Sequence, residues 1–162
     1  MQKTAHNVGP DDYRERLGPS LWVLVSAAVA APMAALVFAP IDSTVALAVG
    51  GLVGVAVIAL LVAGAPVIRV KAGELRAGRA RIGVEHLGVP QVLRGEDARQ
   101  ARGAGLDPRS WHVIRGGIDG VVVVPVTDPD DPTPSWVIAS RTPDRLAAAV
   151  GRAQATLRTP RR

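Results

Sequence analysis

The sequence predicts a membrane α-helical hairpin carrying a small α+β domain, and three observations point to it. Two long uncharged runs, Leu21–Ala39 and Thr44–Ile68, are separated only by Pro40-Ile41-Asp42-Ser43. From Arg69 onward the apolar residues fall into short β-like stretches broken by Gly and Pro. The chain then closes on a segment whose apolar residues recur every three to four positions, the period of a helix lying over a sheet. On this reading residues 1–20 are an N-terminal cytoplasmic tail, 21–68 a two-helix transmembrane hairpin, 69–158 a cytoplasmic domain and 159–162 a basic tail.

The first run, nineteen residues, makes a helix of roughly 28 Å, enough for a ~30 Å hydrocarbon core. It is longer than a signal-peptide core and a second run follows at once, so it reads as a retained anchor. Pro32 lies mid-span and predicts a kink. The second run, twenty-five residues, would be roughly 37 Å long and should tilt. Gly50 and Gly54 form a G-x-x-x-G pair that lets two helix backbones approach; packing of the hairpin on itself is expected before packing between chains. Neither run contains an ionisable residue, which excludes a proton relay or ion path within the hairpin alone. The connecting turn has no Lys or Arg, whereas Lys3, Arg14 and Arg16 precede the first run and a cluster from Arg69 to Arg81 follows the second. The positive-inside rule therefore predicts a multi-pass protein of the cell membrane with both termini cytoplasmic.

Seven antiparallel strands are expected in the polar half: Val67–Lys71, Glu74–Ala77, Arg81–Val84, Val89–Arg94, Ser110–Arg115, Gly120–Thr127 and Trp136–Ser140. Gly116-Gly117-Ile118-Asp119-Gly120 reads as a hairpin turn between the fifth and sixth. Pro125 should end its strand or hold it to an edge. Asp128-Pro129-Asp130-Asp131-Pro132-Thr133-Pro134 reads as a rigid turn. The last element is a helix with Thr142 as N-cap, Pro143 at its first position and Asp144 at its positive end. Leu146, Val150, Ala153 and Leu157 form its sheet-facing stripe, and Arg158, Arg161 and Arg162 close it. Seven short strands and one terminal helix resemble the pleckstrin-homology-like barrel of bacterial membrane proteins.

Charge is unevenly placed. Residues 69–162 hold 16 Arg/Lys against 10 Asp/Glu, while residues 1–68 hold 3 against 4. With no cysteine, disulfides, thiol nucleophiles and cysteine-ligated zinc are excluded. The basic residues lack aromatic interleaving and any reader motif, so nucleic acid is not an expected partner.

Three segments carry a family resemblance: Tyr13-Arg14-Glu15-Arg16-Leu17, then Gly78-Arg79-Ala80-Arg81-Ile82, then Asp128 through Arg141 with its Pro-rich turn and Trp136. With the Ala-rich hairpin they resemble an actinobacterial family of alanine-rich, two-helix membrane proteins of unknown function. The resemblance runs from about Tyr13 to Val150 and implies a membrane location, without assigning an activity.

No catalytic residue, metal site or cofactor is expected. Glu85-His86 and His112 are the acid–base candidates, but nothing in their spacing brings them together. Asp128, Asp130 and Asp131 lack the further ligands and sharp-turn glycine of a calcium loop. Arg69, Lys71, Arg76, Arg79 and Arg81 are the candidates for contact with anionic headgroups. Arg94, Arg99, Arg102 and Arg109, in the longest irregular stretch, are the candidates for a partner-binding loop. Trp111 and Trp136 read as core. The expected function is a non-enzymatic, membrane-tethered binding or adaptor module whose partner is an anionic lipid or a membrane protein. The alternatives are an accessory subunit of a membrane complex and a small membrane-associated enzyme.

Overall fold

A computed structural model describes residues 13–158 of the protein. They fall into two compact units, one of residues 18–65 and the other built from the residues on either side.

The first unit is two helices, α1 (Leu21–Phe38) and α2 (Ser43–Ala63). Ser20 caps α1 through its Oγ, and the Asp42 carboxylate caps α2, accepting from Thr44 N at 2.7 Å and Val45 N at 3.0 Å. The bond from the Val45 amide, then that from Thr44, holds the Asp42 carboxyl below its ordinary range. Helix α2 stops at Ala63 and does not run on to Ile68. Gly64 caps it, Pro66 bars helical geometry at Ala65, and Val67 already belongs to a strand. Its 21 residues are therefore roughly 32 Å long.

Gly50 and Gly54 are buried against α1. A Cβ on Gly50 would come within 2.8 Å of the Ala31 carbonyl oxygen and 2.9 Å of Ala35 Cβ, and one on Gly54 within 3.0 Å of Ala31 Cβ. The G-x-x-x-G face thus packs against Ala31 and Ala35 of α1. The remaining apolar side chains point outward: Leu21, Trp22, Leu36, Leu47, Leu52 and Leu60 are 70–81 % exposed. Both helices are long and apolar enough to cross a membrane.

The second unit holds eight strands in two sheets. The first sheet is β1 (Tyr13–Arg16), β2 (Val67–Lys71), β3 (Glu74–Ala77) and β4 (Ala80–Gly83), antiparallel in that order. The second contains β5 (Gln91–Leu93), β6 (Trp111–Val113), β7 (Val121–Pro125) and β8 (Ser135–Ala139), in the order β5-β7-β8-β6. Helix α3 (Gly95–Arg102) follows β5, and α4 (Pro143–Arg158) follows β8. The sheets do not close into a barrel.

Several expectations change here. Residues 13–16, assigned to a tail, form β1 and pair with β2 across the whole hairpin, so the two helices are an insertion between adjacent strands of one sheet. Leu17 N donates to Pro66 O at 2.9 Å and closes the insertion at its base. The expected hairpin at Gly116–Gly120 does not form: β6 pairs parallel with β8, and β7 lies on the other side of β8. Pro125 ends its strand as expected, but β7 is central and not at an edge. The irregular stretch after Arg94 is largely α3, which Ala98 anchors by burial against Val121 and Val137.

Leu17, Ile68, Val70, Leu75, Val122, Val124 and Ile138 form the core between the sheets, and α4 adds Leu146, Ala149, Val150 and Ala153. Each large aliphatic side chain buried this way stabilises the fold by about 1.5–3 kcal/mol. Leu157 departs from the expected stripe and is 53 % exposed. Trp136 is in the core as expected. Trp111, half-buried, lies 6.2 Å from it between ring centroids and donates from Nε1 to Ala77 O at 3.2 Å, tying the second sheet to the first.

Candidate anion-binding site

The corner between β8 and α4 is where the polar unit opens to solvent. Ser140, fully buried, follows β8, and Thr142 O accepts from Leu146 N at the start of α4. The loop Gly117–Gly120 comes against this corner. A Cβ on Gly120 would meet Pro143 Cγ and Ser140 O, each at 2.7 Å, so glycine is required for that approach. Burying Ala98 places Arg99 and Arg102 along the opposite rim, one helical turn apart. A cleft of about 780 Å³ results, lined by Arg94, Arg99, Arg102, Arg141 and Arg145 against Asp119 and Asp144.

Its charge is only partly compensated. Arg94 pairs with Asp144, and Arg99 reaches Glu96 at 3.4 Å. Arg102 spends its Nη1 on the Ile118 carbonyl at 2.5 Å, which fixes its position without neutralising it. Arg145 has no ion pair among the described residues. The first turn of the 16-residue α4 adds its partial positive charge. A second cleft, about 860 Å³, continues past Arg141 and Arg145 to Arg14 and Arg152. Guanidinium forks in such density suit carboxylates or phosphates, which they bind through paired N–H donors.

A polar network holds the floor of the second cleft. Glu15 Oε2 accepts from Tyr13 OH and Ser140 Oγ, each at 2.6 Å, and Oε1 accepts from Arg141 N at 2.8 Å. With both hydroxyl protons spent on the carboxylate, the Thr142 hydroxyl is left to donate to the Tyr13 oxygen at 2.9 Å. Burial, then the bond to Glu15, pushes the Tyr13 phenol above its ordinary value.

Of the four residues expected to form a partner-binding loop, Arg94, Arg99 and Arg102 line this cleft. Arg109 does not; it pairs with Asp107 at 3.3 Å in a turn. Of the expected headgroup contacts, Arg69, Lys71, Arg76 and Arg81 share the solvent side of the first sheet, whereas Arg79 is turned over the Trp111 ring at 5.5 Å. Arg14, Arg141, Arg145 and Arg152 were not among the site residues expected from the sequence. They reach the two clefts from β1, from the β8–α4 corner and from α4, and no spacing along the chain links β1 to the other two.

The acid–base candidates separate. His86 Nδ1 lies 3.4 Å from Asp128 Oδ2, but His112 Nδ1 sits 3.2 Å from the backbone oxygen of Ser110. Neither histidine lines a cleft described above. Asp128 and Asp131 accept backbone amides from Asp130 and Thr133 at 3.0 and 2.8 Å, the geometry of the expected rigid turn. The Thr133 amide holds the Asp131 carboxyl below its ordinary range. Among the described residues no three His, Asp or Glu side chains gather to hold a metal ion.

A family described as a protein of unknown function (DUF3093) matches residues 12–150, a span that takes in β1, the hairpin, both sheets and half of α4. No curated protein and no solved structure matches the chain.

Proposed function

The chain belongs to the DUF3093 family of proteins of unknown function, and we propose that it is a membrane-anchored, non-enzymatic binding module. Its α1–α2 hairpin spans the cell membrane with both chain ends on the cytoplasmic side. Its polar unit takes up an acidic segment of a protein partner in the arginine-lined cleft beside α4. The observation that carries this reading is the cleft itself: five arginines against two aspartates, on a unit with two apolar helices inserted in its first sheet.

The orientation is supported by the basic residues flanking both helices and by a connecting turn without Lys or Arg. An accessory-subunit role would use the small-residue face of α2 to bind another protein's helix, and Ala31 and Ala35 already fill that face. The binding reading needs no convergence of His86 with His112.

In-cell photocrosslinking from a probe at Arg99 or Arg102 tests the proposal, with a probe at Arg109 as the control outside the cleft. One recurring protein adduct from the cleft positions, absent from Arg109, is expected, with an acidic segment at the site of attachment. Lipid adducts alone, or the same adducts from all three positions, would overturn it.

A further inference from the structure

The solvent face of the first sheet carries a row of four arginines in direct register. Arg14 of β1 stands opposite Arg69 of β2, Arg69 opposite Arg76 of β3, and Arg76 opposite Arg81 of β4. With strands ~4.8 Å apart, the row is about 14 Å long. Their neighbours Ile68, Val70, Leu75 and Ala77 are fully buried, so alternation sends the arginines to the opposite side. None of the four has an ion pair among the described residues; Glu74 and Glu85, whose carboxyl lies where a Cβ on Gly83 would point, are the acidic side chains described on this face. Beside the row, Arg69, Lys71, Ala72, Glu74 and Arg76 line a shallow depression of about 290 Å³.

Like charges directly opposite one another weaken a strand pair. Three such pairs in succession work against the sheet's own stability unless an anion sits over them. We infer that this face is a docking surface for anionic lipid headgroups of the membrane that holds the hairpin. The inference rests on the hairpin being membrane-spanning, as proposed above. Guanidinium groups match phosphodiester oxygens in charge and in geometry. Chain connectivity favours lipid over nucleic acid: Arg14 precedes α1 by seven residues and Arg69 follows α2 by six. Such linkers reach at most ~25 Å even when extended, so the chain tethers Arg14 and Arg69 within that distance of the helix ends. The face also presents no described aromatic side chain on which a base could stack. Arg79, engaged with Trp111, is not part of the row.

The test uses the full chain in vesicles of phosphatidylcholine alone or with equal parts phosphatidylglycerol. Each carries a trace of lipid with a photoactivatable group on the headgroup or, separately, on the acyl chain. Headgroup adducts on residues 69–81 are expected from the phosphatidylglycerol vesicles, fading as salt rises. Arg76→Gln with Arg81→Gln should weaken them about fivefold per arginine, while thermal stability stays level or rises. Equal adducts from both vesicle types, or adducts unchanged by the double substitution, would overturn the inference. So would their displacement by an oligonucleotide at matched phosphate concentration. Acyl-chain adducts on α1 and α2 report the hairpin separately; their absence would remove the hairpin reading, and this inference with it.

Discussion

Ser140 Oγ donates to Glu15 Oε2 at 2.6 Å across a separation of 125 residues, and this bond fastens the first strand of the chain to the corner where α4 begins. Because β1 is cut off from β2 by the entire hairpin, such a fastening decides whether the insertion is held at both ends. Glu15→Ala should destabilise the polar unit by about 2–4 kcal/mol, since bonds to a charged group contribute ~1.5–3 kcal/mol and two hydroxyls lose their acceptor. A double-mutant cycle with Ser140→Ala should show coupling above ~0.5 kcal/mol. Strictly additive effects in thermal unfolding would contradict the network.

The same network makes an alkaline prediction. The folded Tyr13 phenol is raised above its unfolded value, so the stability it contributes is complete below pH ~10 and is lost as pH climbs through the folded value. Tyr13 is the single tyrosine of the chain, and tyrosinate absorbance therefore reports it alone. The titration midpoint should lie above that of a denatured sample and fall toward it in Glu15→Gln, which removes the adjacent charge.

Gly50 tests the hairpin's own packing. Gly50→Val places carbon atoms into the Ala31 carbonyl and Ala35 methyl, so the two helices must part. A loss of about 1–3 kcal/mol in detergent is expected from such overpacking. Gly51→Val faces open space and should cost well under ~1 kcal/mol. Equal effects at the two positions would contradict the contact.

Gln154 presents one amide nitrogen to three carbonyls, those of Val84, Leu87 and Gly88, at 3.2, 2.7 and 3.1 Å. Gln154→Glu keeps the shape but turns a donor into an acceptor facing three acceptors. It should cost more than Gln154→Leu, which should lose about 1–3 kcal/mol. Chemical denaturation of both variants checks the order.

How much of this was readable follows from where each signal lies. Strands β2 and β3 match their expected bounds because Ile68, Val70, Leu75 and Ala77 alternate with Arg69, Lys71, Glu74 and Arg76. The packing of Gly50 follows from the equally local G-x-x-x-G spacing, whereas the end of α2 at Gly64 was missed because the uncharged run continues to Ile68. Strand β1 was missed because four polar-rich residues become a strand only beside Val67–Lys71, which the hairpin removes from them in sequence. The parallel pairing of β6 with β8 was missed for the same reason: turn chemistry at Gly116–Gly120 argues for neighbours, and tertiary packing chose otherwise. Half of the cleft was visible as the arginines around α3. The other half arrives at the β8–α4 corner and on α4, and only the fold brings Arg141 and Arg145 to it.

The most direct test of a membrane-inserted hairpin displaying a cytoplasmic domain is residue-by-residue sidedness. The chain has no cysteine, so single cysteines at Ile41, 76 % exposed in the α1–α2 turn, and Val89, 79 % exposed in the polar unit, give clean reporters. In intact cells a membrane-impermeant thiol reagent should label Ile41→Cys, and Val89→Cys only after permeabilisation. Labelling of Val89→Cys in intact cells, or identical behaviour of the two positions, would contradict the account.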